Sequence, residues 1–175
     1  MGFVIKRNGY GPKDWEWMLK CVSKKINSWA YQYLSLGGKM VLIVSVLQEI
    51  HVYWMTLFSI PASIFSRMRE KLFHLLWSGS SETRKFHLVS WDKLSLPRDM
   101  GGWGFKHLSH FNAALRSKSL WRCLFGKGLW GNMIKEKYFK GLEPIIWMRD
   151  RTGVKSGVST IWKSLVKSFH LSQTT

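Results

Sequence analysis

Acidic residues are scarce: Asp and Glu total 10 in 175 residues, against 27 Lys and Arg, which leaves a formal charge of +17. The four aspartates, Asp14, Asp92, Asp99 and Asp150, are isolated from one another. No closely spaced carboxylate pair is therefore available to hold two Mg²⁺ ions for phosphoryl chemistry. Cysteine is also scarce. Cys21 and Cys123 stand far apart, which indicates no disulfide framework and fits a reducing compartment. There is no C-x-x-C, so the usual structural zinc signature is missing. The opening Met1-Gly2-Phe3-Val4-Ile5-Lys6-Arg7 has too short an apolar run for a secretory signal. The expectation is an intracellular protein, nuclear or cytoplasmic and not secreted, with no metal, cofactor or small-molecule substrate.

What the chain does have is apolar material. Hydrophobic residues make up 46% of it, and 11 residues are Trp. That content argues against a disordered basic tail, and the length suffices to bury a core. A folded body with this excess of positive charge points to a polyanionic partner, nucleic acid first and an anionic membrane surface second.

The apolar spacing predicts a mainly α fold. Gly9-Tyr10-Gly11-Pro12 reads as loop, and Asp14 is placed to cap a first helix with Glu16 near its N-terminal dipole. Trp15, Met18, Leu19, Val22, Ile26, Trp29 and Tyr33 recur at three- and four-residue steps as one apolar stripe, with Lys20, Lys24 and Lys25 largely off it. Gly37-Gly38 breaks that pattern. Residues 40–60 have the length of a membrane span, but Gln48, Glu49 and His51 sit near the middle. A charge there costs roughly 2.5–3.5 kcal/mol, so a buried helix, continuous or bent near His51, is the expectation.

Ser59-Ile60-Pro61 predicts a helix start. Ile64, Phe65, Met68, Leu72, Leu75 and Leu76 follow on a helical period. Residues 84–91 read as a short extended or β segment, and Leu96-Pro97 through Gly104 as a turn-rich connection that sends Trp103 and Phe105 into a core. A further helix from about Ser109 is expected to bury Phe111, Ala114, Leu115, Trp121, Leu124 and Phe125. A short helix from Leu129 to Tyr138, a linker over 140–156 and a last helix from Gly157 to His170 complete the chain. His107-x-x-His110 with Cys123 offers metal-ligand types, but the fourth ligand and standard spacing are absent. Gly101-Gly102-Trp103-Gly104 lacks the Lys-Ser/Thr of a phosphate-binding P-loop. Basic residues interleave with aromatics, as in Lys118, Trp121 and Arg122. Exposed aromatics can stack on bases, but the helical spacing predicts that most of these are core.

Several segments, read in order, resemble one family. They include Leu34-Ser35-Leu36-Gly37-Gly38-Lys39, Leu57-Phe58-Ser59-Ile60-Pro61, Leu76-Trp77-Ser78-Gly79 and Leu88-Val89-Ser90-Trp91-Asp92. Gly101-Gly102-Trp103-Gly104-Phe105, Phe111-Asn112-Ala113-Ala114-Leu115, Trp121-Arg122, Lys137-Tyr138 and Val158-Ser159-Thr160-Ile161-Trp162-Lys163-Ser164 follow. Each is weak alone; their number, order and spacing resemble the reverse transcriptase polyprotein of plant LINE-type (non-LTR) retrotransposons, in the region after the polymerase palm. The likeness spans roughly residues 2–166. His51 stands where the family usually has Pro, Trp103 where it has Leu, and Ser119 where Trp is common.

The resemblance implies a helical thumb-like region over 1–80, an extended segment plus helical connection over 81–139, the linker over 140–156, and a C-terminal helix over 157–175 leading toward a zinc-binding segment. Gly2-Phe3 resembles the end of the Tyr-Leu-Gly motif closing the palm, which implies a chain starting just after it. The family's Tyr-x-Asp-Asp site has no counterpart here, nor do the zinc-binding and ribonuclease H parts, so the resemblance implies a noncatalytic fragment, a degenerate genomic remnant. Its expected role is to grip RNA/DNA primer–template duplex without sequence specificity through Lys39, Arg67, Lys71, Arg84, Lys85, Lys106, Lys118, Arg122, Lys135 and Lys137, beside a parent polymerase's palm. The alternative is a nonfunctional or protein-interaction fragment without nucleic-acid binding of its own.

Overall fold

The computed structural model describes residues 6, 10–30, 34–47, 51–77, 89–126, 128–139, 141, 143, 146 and 158–171. The fold is mainly α, and no strand occurs among the described residues. In chain order the helices are α1 (Glu16–Ala30), α2 (Leu36–Leu42), α3 (Val52–Leu57), α4 (Ala62–Trp77), α5 (Trp91–Leu94), α6 (Leu108–Phe125), α7 (Leu129–Ile134) and α8 (Thr160–Leu171). They belong to two compact units. One comprises residues 10–53 and 60–111; the other comprises 1–9, 54–59 and 112–175. No described helix is long and apolar enough to cross a membrane.

The first unit is built on α1 and α4, which pack together. A 3₁₀ turn, Pro12–Trp15, leads into α1. Asp14 is not the residue before the first turn, as its spacing predicted. It lies inside that turn, and its Oδ2 accepts the Gly11 backbone N–H at 2.9 Å. Proline fits this entry because its missing N–H has no partner in a first turn anyway. Trp15, Met18, Leu19 and Val22 are buried as the period predicts. From α4, Ile64, Phe65, Met68, Leu72, Leu75 and Leu76 are all buried, the full predicted set.

The Gly37-Gly38 pair does not end a helix. It lies in the first turn of α2, where Ser35 Oγ accepts the Gly38 N–H at 3.3 Å. The cap satisfies a donor that the helix itself leaves open, and this offsets the poor helix propensity of glycine. Over 40–60 the described residues are helical on either side of His51, in line with the bent rather than the continuous form expected, but only in part buried. α2 passes into a π-helical turn at Ile43–Leu47, and His51, fully buried, sits in a turn before α3. Val41 and Tyr53 are 66% and 68% exposed.

Trp91, placed by the sequence at the end of an extended segment, instead opens α5 behind Ser90, whose Oγ accepts the Lys93 N–H; residues 84–88 lie outside the described residues. The connection after α5 is a run of tight turns. The Gly102 N–H donates to Pro97 O at 3.0 Å and the Phe105 N–H to Leu94 O at 3.2 Å. A Cβ on Gly102 would lie 2.0 Å from the Leu96 carbonyl oxygen, so only glycine allows this approach. The turns deliver an aromatic cluster: Phe105 lies 5.3 Å from Trp91, Trp91 5.2 Å from Phe73, and Trp103 6.0 Å from Trp77, between ring centroids.

In the second unit, α6 and α8 supply most of the core, with Leu120, Cys123, Leu124, Ile134, Phe139, Trp162, Leu165 and Val166 buried together. Tyr138 stacks on Trp162 at 4.8 Å with planes 3° apart. α8 starts behind Ser159, whose Oγ accepts the Trp162 N–H. The buried face of α6 is rotated from the predicted one. Ala114, Trp121 and Phe125 are exposed, and Phe111 and Leu115 only half-buried, whereas Asn112, Arg116 and Leu120 are buried. The reason is hydrogen bonding. Asn112 Nδ2 donates to the Met55 and Phe58 carbonyls at 2.8 and 2.9 Å, and Arg116 Nη1 donates to the Ser164 carbonyl at 2.8 Å. Those carbonyls would cost about 1–3 kcal/mol each if buried without a donor. Most of the predicted linker over 140–156 lies outside the described residues.

Candidate functional site

The clearest charged site belongs to the first unit. One face of α1 presents Glu16, Lys20, Ser23, Lys24 and Asn27, and α4 faces it with Arg67 and Lys71. Between them runs a groove of about 460 Å³. The spacing explains the convergence. Lys20 and Lys24 are four residues apart, as are Arg67 and Lys71, so each pair stands on one side of its helix. Like-charge pairs at this spacing destabilise a helix by about 0.2–0.5 kcal/mol each. Four cations thus meet one carboxylate, since Arg67 Nη1 lies 3.8 Å from Glu16 Oε1 with both side chains about half exposed. An ion pair so exposed contributes about 0–1 kcal/mol. Ser23 and Asn27 add neutral hydrogen-bonding groups to the same wall.

The remaining predicted cations do not gather at one place. Lys39 lies half-buried on α2 of the first unit. Lys106 sits just before α6 with its Nζ 4.5 Å from the Phe111 ring centroid. Lys118 and Arg122 are exposed on α6 in the second unit. Lys135 and Lys137 lie in the π-helical turn Lys135–Phe139, and Lys137 Nζ is 5.7 Å from the Tyr138 ring. Arg84 and Lys85 lie outside the described residues.

The histidine pair forms a second cluster, beside a cavity of about 280 Å³ lined in part by Ser66, Arg69, His107 and Ser109. His107 and His110 stack at 4.0 Å. His107 Nδ1 hydrogen-bonds with Ser109 Oγ at 2.9 Å, and its Nε2 lies 3.7 Å from Asp92 Oδ1. Burial lowers the His107 pKa from its ordinary value, His110 and Arg69 lower it further, and Asp92 opposes them. Among the described residues, no group of three or more His, Cys, Asp or Glu is placed to hold a metal ion. Burial raises the Cys123 thiol pKa, and its Sγ accepts a hydrogen bond from Trp130 Nε1 at 2.7 Å.

Two plant proteins resemble the chain. It is 32% identical over 150 residues, 85% of its length, to an Arabidopsis thaliana protein named "Putative ribonuclease H protein", of which it covers 24%. It is 30% identical over 90 residues, half of its length, to an uncharacterized mitochondrial protein of Arabidopsis thaliana, of which it covers 58%. The chain therefore spans about a quarter of the first relative's length and somewhat over half of the second's. No protein-family model and no solved structure matches it.

Sequence reasoning found Arg67 and Lys71 but placed Lys20 and Lys24 only as residues largely off the apolar stripe. The signal was present as a matched pair of cation steps, one on each helix. Only the packing of α1 on α4 turns those steps toward each other.

Proposed function

We propose that this chain is a noncatalytic part of a retrotransposon reverse transcriptase that grips primer–template nucleic acid, and that the α1–α4 groove is its principal backbone contact. The observation that carries this reading is the meeting of Lys20, Lys24, Arg67 and Lys71 in one groove. Cations held against their mutual repulsion suit an anionic ligand, and a row of phosphates supplies one without requiring any base sequence. The ordered motifs support the retrotransposon origin, as does likeness over most of the chain to a protein whose name is that of a ribonuclease. The isolated aspartates support a noncatalytic role. The partner is duplex RNA/DNA inside the cell, next to a polymerase palm.

The test is a salt titration of duplex binding. Each phosphate neutralised contributes about −0.9 to the log–log slope on B-DNA. Replacing Lys20 and Lys71 together by Gln should make the slope shallower by about 1.8 and weaken binding alike for unrelated sequences. An unchanged slope with unchanged affinity would remove the groove from the interface.

A further inference from the structure

The second unit carries a surface of a different kind. Lys118, Trp121, Arg122 and Phe125 occupy one face of α6 at steps of three and four residues. Trp121 is 61% and Phe125 43% exposed, and their rings lie 4.3 Å apart. The next helix, α7, also exposes apolar side chains, Leu129, Trp130 and Met133, at 80%, 51% and 61% exposure. Five large apolar side chains thus stand in solvent on two consecutive helices, with two exposed cations among them.

The surface is held in place. Gly126 turns the chain so tightly that a Cβ there would lie 2.2 Å from the Arg122 carbonyl oxygen. The Trp130 indole is anchored by its hydrogen bond to the buried Cys123 sulfur. The Trp130 ring is therefore positioned before any ligand arrives, and Trp121 and Phe125 pack on one another at 4.3 Å, which lowers the ordering cost of binding.

We propose that this α6–α7 corner is a stacking platform for unpaired bases of a nucleic-acid strand, with Lys118 and Arg122 taking the adjoining phosphates. The inference rests on the nucleic-acid reading above and extends it to a second ligand form. Charge complementarity selects the occupant. A purely apolar partner would leave Lys118 and Arg122 without counter-charge, whereas a single strand offers π-faces and phosphates at alternating positions. A paired duplex keeps its internal base faces stacked on one another, so the platform discriminates strand from duplex. The α1–α4 groove, having no exposed aromatic in its walls, makes no such distinction.

The experiment measures binding of the full chain to three probes: a short oligothymidine strand, a strand of equal length made of abasic sites, and a blunt duplex. Replacing Trp121 by Ala should weaken binding of the oligothymidine about 5- to 150-fold, while Trp121→Phe retains most of it. Duplex affinity should be unchanged by either substitution. The abasic strand should bind the unaltered protein more weakly than the oligothymidine, through its phosphates alone, and respond little to Trp121→Ala. Because Trp121 is mostly exposed, circular dichroism should show the variant folded.

Equal binding of the abasic and thymidine strands, or thymidine binding indifferent to Trp121→Ala, overturns the platform. So does a fall in self-association on sedimentation without any change in strand binding, which would make the corner a protein contact. If the unaltered chain binds the strand but not the duplex, and Trp121→Ala weakens that binding, the groove reading fails and the platform stands. Binding to neither would end both.

Discussion

The two compact units carry candidate surfaces of different make-up. The α1–α4 unit buries apolar residues on α4 and places its cations outside, where Lys20, Lys24, Arg67 and Lys71 face one another across a groove. The α6–α8 unit buries Asn112 and Arg116 and leaves Trp121, Phe125, Leu129, Trp130 and Met133 in solvent. The first arrangement suits the backbone of charges proposed above as its ligand. The second leaves rings in water, where apolar surface gives up about 25 cal/mol per Å² of burial, and suits the ligand proposed above, which has both π-faces and charge. The contrast teaches that a single figure of +17 conceals two surfaces with different chemistry.

The comparison of the cores can be broken first by Leu72→Ala. Leu72 is fully buried on α4, and its truncation should cost about 2–5 kcal/mol. Chemical denaturation should show this as a lower midpoint, and hydrogen exchange should place the loss in the α1–α4 unit. A change below about 1 kcal/mol would mean that the site collapses to fill its own cavity. Asn112→Ala should cost less, about 1–3 kcal/mol, because it strips the Met55 and Phe58 carbonyls of their donor. Its effect should appear in the α6–α8 unit. If both variants loosen the same amides, the two units are not separate in stability.

A smaller effect sharpens the comparison of the surfaces. Charge removal at Lys20 and Lys71 should weaken duplex and single-strand binding alike, whereas Trp121→Ala should weaken single-strand binding only, so on a single strand the triple variant should show the sum of the two losses. Independent sites add, and coupled ones do not.

The smallest effect concerns pH. The folded chain holds the His107 pKa below its ordinary value, so the unfolded state takes up the proton more readily. Stability should therefore be fully present above the ordinary imidazole value of about 6.5 and fall as pH drops through it. His107→Gln should flatten that part of the profile, measured as melting temperature against pH. A profile unchanged by the substitution would show that other groups carry the dependence.

Much of the fold was legible in the residues. On α4 every predicted buried position is buried, because Ile64, Phe65, Met68, Leu72, Leu75 and Leu76 are apolar and meet an apolar partner helix. α6 was legible as a helix but not in its orientation. Its inner face includes Asn112 and Arg116, whose acceptors lie 57, 54 and 48 residues away. No local window contains those carbonyls, so the apolar residues Trp121 and Phe125 looked like core. The same limit applied to the groove: Arg67 and Lys71 stood out beside a buried stripe, while Lys20 and Lys24 gained significance only from what packs opposite them.

The sequence by itself determined a mainly α chain with an excess of cations, because helical period and charge count are properties of neighbouring residues. Tertiary structure decided which cations converge and which aromatics remain in water. Both depend on how each helix is rotated about its axis. Burial and backbone hydrogen bonds contributed by distant segments set that rotation.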